Sequence, residues 1–116
     1  MSKREQGKVY ERKLVKILQQ YGWNSKRVPA SILDVIATKN DRIVVFEVKA
    51  TKENSIKVEK EQIQNLFDWL SLFDYYPKKE AVIAVRFKGQ KWLFKKVIEI
   101  KDYRITVDDI SDWAIY

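Results

Sequence analysis

Residues 33–50 read LDVIATKNDRIVVFEVKA, two runs rich in β-branched and aromatic residues, Leu33 to Thr38 and Arg42 to Ala50, on either side of a short polar turn. Lys39-Asn40-Asp41-Arg42 has the make-up of a two-residue hairpin, Asn40 and Asp41 both being suited to left-handed backbone. Such a turn fixes the register. It sets Lys39 opposite Arg42 and, counting outward pair by pair, brings Asp34 opposite Glu47 on one sheet face, with β carbons about 5 Å apart. The period of two then places Val45, Glu47 and Lys49 on that face and Val44, Phe46 and Val48 on the other. Two carboxylates and an amine therefore meet at one end of an otherwise apolar hairpin. Like charges directly opposed destabilise a sheet unless something compensates, which a divalent cation does fully and Lys49 in part. The plainer alternative is a salt-bridged polar patch on a solvated strand end, but the flanking residues are too apolar for an exposed one.

Upstream, Gln6 to Tyr21 has helical periodicity, with Tyr10, Leu14, Ile17, Leu18 and Tyr21 on one face and Lys8, Arg12 and Lys16 on the opposite one. Gly22 is a natural stop. Glu11 lies about 20° from Leu18 around the helix, at the edge of the buried stripe, where it either points inward or pairs with a neighbouring cation. A short strand around Trp23 to Val28 and a Pro29-Ala30-Ser31 loop lead into the hairpin. Downstream, a helix is expected from about Glu59 to Phe73, with Ile63, Leu66, Phe67 and Leu70 inward, followed by strands over Ala81 to Phe87 and Lys91 to Val97 joined at Lys88-Gly89-Gln90. Residues 102–116 are expected to add a strand through Ile105-Thr106-Val107 and a short helix capped at Asp108 or Asp109. Trp92, Phe94, Trp113 and Tyr116 read as core or subunit contacts rather than base-stacking platforms, since their neighbourhood carries no net charge.

The composition closes off many chemistries. Among 116 residues there is no His and no Cys, which excludes a Ser-His-Asp triad, a Cys nucleophile, thiolate or imidazole zinc sites and disulfides. A metal held by this protein sits on oxygen ligands, which favours magnesium, manganese or calcium. Residues 1–58 carry 13 basic and 6 acidic side chains, whereas residues 59–116 carry 10 of each, so the net charge of +7 belongs entirely to the first half. That asymmetry suits an anionic partner contacted by N-terminal elements, or simply a solvated basic surface. With no apolar run near membrane-span length, a charged N-terminus and no linker-like tract, the expectation is a single α/β domain over 1–116 in an intracellular, cytoplasmic protein.

Asp34, then Glu47-Val48-Lys49, with Glu11 on a preceding helix, resembles the PD-(D/E)XK nuclease signature. The surrounding words are more specific: Arg27-Val28-Pro29-Ala30-Ser31, Asp34-Val35-Ile36-Ala37-Thr38-Lys39-Asn40 and Phe46-Glu47-Val48-Lys49 resemble the archaeal Holliday-junction resolvase family, Hjc and Hje. Ile56-Lys57-Val58 followed by Glu61-Gln62-Ile63 resembles that family's next segment. The resemblance covers roughly residues 5–90. Two departures stand out: the Gly- and Lys-rich loop common between the Ser and the Asp is missing between Ser31 and Asp34, and Leu33 replaces the Pro before Asp34.

The resemblance implies a restriction-endonuclease-like mixed central β-sheet flanked by helices, and a magnesium-dependent endodeoxyribonuclease that resolves four-way DNA junctions, with Mn2+ able to substitute. Phosphodiester hydrolysis needs neutralised nonbridging oxygens and an activated water, which hard cations on carboxylates supply. Asp34 and Glu47 are then the direct metal ligands, the Val48 carbonyl completes the protein's share, and Glu11 ligates directly or through water. Lys49 orients or deprotonates the attacking water, Ser31 and Arg27 face the phosphate, and Gln62 supports Lys49 or the water. Lys3, Arg4, Lys8, Arg12, Lys57 and Lys60 join Arg27 and Ser31 as DNA contacts. A symmetric junction has two strands to cut, which implies a homodimer built on the neutral second half. The alternatives left open are a related nuclease for other branched or duplex DNA, and a DNA-binding module of the same fold that has lost catalysis.

Overall fold

The computed structural model describes residues 3–28 and 33–116, and side chains from residue 7 onward in the first helix. Ser31 and the Pro29-Ala30-Ser31 loop, like the side chains of Lys3 and Arg4, lie outside the described residues. Helix α1 (Lys3–Gln20) is followed by β1 (Asn24–Arg27), β2 (Val35–Lys39), β3 (Arg42–Thr51), β4 (Ser55–Val58), α2 (Lys60–Leu70), β5 (Lys78–Phe87), β6 (Trp92–Val97) and β7 (Tyr103–Thr106).

The hairpin has the register its turn demands. Val35 pairs with Phe46 and Lys39 with Arg42, and beyond the last strand pair the Asp34 N–H donates to the Phe46 carbonyl at 3.0 Å, so Asp34 sits across from Glu47. Only Asn40 of the two turn residues is left-handed, at φ 53°; Asp41 does not share that conformation. One positive φ at the first central position suffices to close a two-residue turn.

β3 is the middle of a five-stranded mixed sheet in the order β1-β2-β3-β5-β6, antiparallel to β2 and parallel to β5. The parallel pairing requires a crossover, and α2 supplies it, burying Ile63, Leu66 and Leu70. Ile43, Val45, Ile83 and Val85 pack beneath α2, whereas Val44, Phe46, Val82 and Ala84 pack beneath α1 against Leu14 and Leu18. Being covered on both faces, β3 reads as a nearly continuous apolar run. A polar side chain on it must therefore be satisfied inside the protein.

α1 ends at Gln20, and Gly22 at φ 88° turns the chain. The helix's open carbonyl end receives Lys39 from the hairpin, whose Nζ donates to the Tyr21 carbonyl at 2.7 Å. Tyr21 itself is exposed rather than part of the buried face.

The C-terminal segment corrects the expected helix. After β7, which pairs with β4 in a separate two-stranded ribbon, residues 107–116 form no helix. Asp109 closes a turn by accepting from the Thr106 N–H, and the chain then lies along β6, whose Phe94 and Lys96 N–H groups donate to the Ser111 hydroxyl and the Asp112 carboxylate. An edge strand presents unpaired backbone groups, and satisfying these outweighs one short helix. Trp113 is thereby buried among Trp23, Phe46 and Phe94, and the Trp23 indole N–H donates to the Ile115 carbonyl. Phe94 and Trp113 are core, Trp92 is half-buried, and Tyr116 is exposed.

Candidate active site

The hairpin brings Asp34 and Glu47 to the end of the sheet nearest the first turns of α2, with Glu47 buried and Asp34 half-buried. Glu47 retains 5% exposure in the middle strand. Each carboxylate is held by one oxygen. Asp34 Oδ2 accepts from the Val48 N–H at 2.8 Å, while Glu47 Oε1 accepts from the Gln62 amide at 2.9 Å and lies 3.3 Å from Lys49 Nζ. Among the described residues, Asp34 Oδ1 and Glu47 Oε2 take no hydrogen bond.

The electrostatics follow from this crowding. Burial pushes Asp34 up from 3.8 to about 6; the Val48 N–H opposes the rise and Glu11 adds to it. Burial also pushes Glu47 up from 4.5 to about 7, with the Asp34 charge raising it further and Lys49 partly offsetting both. One cation does not balance two carboxylates that share so little solvent. An oxygen-seeking divalent ion fits what is missing, because magnesium is commonly held by one or two carboxylates together with waters and substrate phosphates.

Glu11 takes a different position from a direct ligand. Its Oε1 accepts from Arg27 Nε at 2.9 Å, and among the described residues no three Asp, Glu, His or Cys side chains gather closely enough to hold a metal. The Arg27 guanidinium at the end of β1 outcompetes convergence on Asp34, although Glu11 stays close enough for its charge to be felt by both carboxylates. Gln62 also differs in detail. It donates to Glu47, meeting Lys49 only through the shared oxygen, while its own carbonyl accepts from the Glu59 N–H at 3.2 Å.

The basic residues separate into groups. Arg12 is exposed and Lys8 half-exposed on α1, the helix that carries Glu11. Lys57 and Lys60 sit at the entrance to α2, where Lys57 Nζ lies 3.7 Å from both Glu59 and Asp102. The sequence assigns the net positive charge to the first half and takes most of the DNA contacts from there, yet the fold adds more. Arg86 pairs with Ala50 in β3, and the Lys88 N–H donates to the Thr51 carbonyl, so the Lys88 to Lys91 turn lies at the sheet end reached by Lys49. The parallel β3–β5 register puts them there, and nothing in a single sequence announces it.

Comparison with known proteins points the same way as this geometry. A family model described as archaeal Holliday junction resolvase (Hjc) matches residues 2–113. The chain is 39% identical over 113 residues to the crossover junction endodeoxyribonuclease Hje of Sulfolobus acidocaldarius, spanning 91% of this chain and 80% of that protein. A crossover junction endodeoxyribonuclease of Sulfolobus islandicus rod-shaped virus 1 is 33% identical over 116 residues, spanning 87% of this chain and 96% of the viral one. In fold, the chain is similar to the solved structure of Hjc from Archaeoglobus fulgidus, a Holliday junction resolvase, with a TM-score of 0.74 at 22% identity over 88% of this chain and 84% of that one.

Proposed function

The chain belongs to the archaeal Holliday junction resolvase (Hjc) family, and on that premise we propose that it is a divalent-metal-dependent endodeoxyribonuclease that cuts four-way DNA junctions. The observation that carries the reading is the Asp34–Glu47 pair, half-buried and buried respectively, each carboxylate pinned through one oxygen and offering the other, with the Lys49 amine against Glu47.

Asp34 and Glu47, with the Val48 carbonyl, would hold Mg2+ or Mn2+, and Glu11 would act from the outer position its bond to Arg27 gives it. The bound ion supplies neutralisation of the phosphate oxygens and a lower proton affinity for the attacking water. Lys49 orients that water or, as the neutral amine, takes its proton. A new bond forms between the water oxygen and phosphorus, and the bond from phosphorus to the departing sugar oxygen breaks. Arg27 and Ser31 face the scissile phosphate. Lys3, Arg4, Lys8, Arg12, Lys57 and Lys60 hold the flanking backbone, joined by Arg86, Lys88 and Lys91 from the second half.

The active species is a homodimer acting on branched DNA within the cell. Leu72, Tyr75, Ile98, Ile110 and Tyr116 are all more than 70% exposed, and all lie in the half of the chain with no net charge, where a self-complementary apolar contact suits a two-fold pair.

Cleavage of a labelled four-way junction, a flap and a linear duplex of the same sequence tests the function. Magnesium-dependent cutting of the junction far above the other two is expected. Equal cutting of linear duplex, or junction cutting in excess chelator, would contradict the proposal.

A further inference from the structure

The Gln62 amide is fixed at both ends. Its carbonyl faces the Glu59 N–H at 3.2 Å, so its NH2 has to face Glu47, which it reaches at 2.9 Å. Where that amide stands depends on where the first turn of α2 stands. The first N–H groups of a helix have no partner within it, and the Glu59–Gln62 capping box answers those of Glu59 and Gln62 but not that of Lys60. The partner comes from far along the chain. Asp102 Oδ1 accepts from the N–H of Lys60, the first residue of α2, at 2.7 Å, and Oδ2 lies 3.7 Å from Lys57 Nζ. Asp102 is delivered by the β4–β7 ribbon, whose pair Val58–Tyr103 leaves Asp102 opposite the residue that leads into the helix.

We propose that Asp102 is a positioning residue for the Glu47 carboxylate: by anchoring the first turn of α2 to the β4–β7 ribbon it holds Gln62 where its amide occupies one Glu47 oxygen and leaves the other for the metal. The proposal rests on the reading of Asp34 and Glu47 as metal ligands. Ion pairing with Lys57 is secondary, since both partners are about half exposed, whereas the bond to Lys60 fixes backbone. A negative charge beside the helix N-terminus adds to the anchoring.

Asp102→Ala and Asp102→Asn, alongside Gln62→Ala and Glu47→Gln, test this through Mn2+ binding measured by calorimetry without DNA and through the side-chain amide NMR signals of Gln62 in 15N-labelled protein. Asp102→Ala is expected to weaken Mn2+ binding about fivefold, below the about 10- to 100-fold typical when a partner bonded directly to a metal ligand is removed, as in Gln62→Ala. It should also move the Gln62 amide signals. Asp102→Asn keeps an acceptor for the Lys60 N–H and should restore both readouts, which a merely stabilising surface charge would not. Unchanged Mn2+ affinity and Gln62 signals in Asp102→Ala, with Gln62→Ala still weakening the metal, would overturn the proposal while leaving the metal site standing. Unchanged Mn2+ binding in Glu47→Gln would overturn the metal site itself, and this proposal with it.

Discussion

Asp34 and Glu47 are costly to the fold on their own, and that cost can be measured. Both carboxyls hold protons more tightly in the folded protein than their ordinary values of 3.8 and 4.5 allow, at about 6 and about 7. In chelator, the folded state therefore binds more protons than the unfolded chain between about pH 4 and 7, and stability falls as pH rises through that window. Asp34→Asn keeps an acceptor for the Val48 N–H but removes one charge. It should melt higher than wild type in chelator at pH 8, by about 4 °C for each kcal/mol of repulsion relieved, and lose that advantage at pH 4. Saturating Mn2+ should reverse the order by raising only the wild type. Cleavage by Asp34→Asn or Glu47→Gln should be abolished, with junction binding in calcium nearly unchanged. A mutant that melts no higher than wild type at pH 8 would remove the buried repulsion from the account. The opposition of these two residues is legible in the sequence because a two-residue turn and a period of two leave no other register. The company they keep is not: Gln62 reaches Glu47 from a helix 15 residues away, and Arg27 claims Glu11 across the gap between α1 and β1.

Among the elements, α1 does two jobs with its two faces. Leu14 and Leu18 are fully buried against the sheet, while Arg12 is exposed and Lys8 half-exposed on the helix that carries Glu11 toward the site. Removing Lys8 and Arg12 together should weaken junction binding at low salt and flatten the slope of log affinity against log salt by about 1.8, two phosphate contacts' worth. Titrations across a series of salt concentrations measure it, and an unchanged slope would take α1 off the DNA surface. Periodicity alone exposes both faces of such a helix, and likewise of α2. The C-terminal segment is the counterexample. Asp108 and Asp109 look like helix caps in sequence, yet what residues 107–116 become is settled by the unpaired edge of β6, where Ser111 and Asp112 take the Phe94 and Lys96 N–H groups. A strand edge 16 or 17 residues upstream leaves no mark on the local pattern. The anchoring of α2 by Asp102 escapes sequence reading for the same reason, although the Glu59-x-x-Gln62 spacing does carry a capping signal.

At the scale of the molecule, one chain offers one Asp34–Glu47 pair, and a four-way junction has two strands to cut. Two-fold pairing of the chain matches the symmetry of that substrate. The division of the sequence supports it: the charged half carries the acidic pair and most of the basic surface, while the neutral half leaves large side chains such as Leu72, Tyr75 and Ile98 in water. The account's central claim is that each Asp34 site hydrolyses one strand of a junction. Its most direct test is a mixed dimer of wild-type and Asp34→Asn chains, purified with a different tag on each, given a magnesium-loaded four-way junction labelled on both cleavable strands. The account predicts that wild-type dimers cut both strands, mixed dimers nick a single strand, and dimers of Asp34→Asn cut neither. Cutting of both strands by one mixed dimer in a single encounter, or any cutting by the Asp34→Asn dimer at close to the wild-type rate, would contradict it.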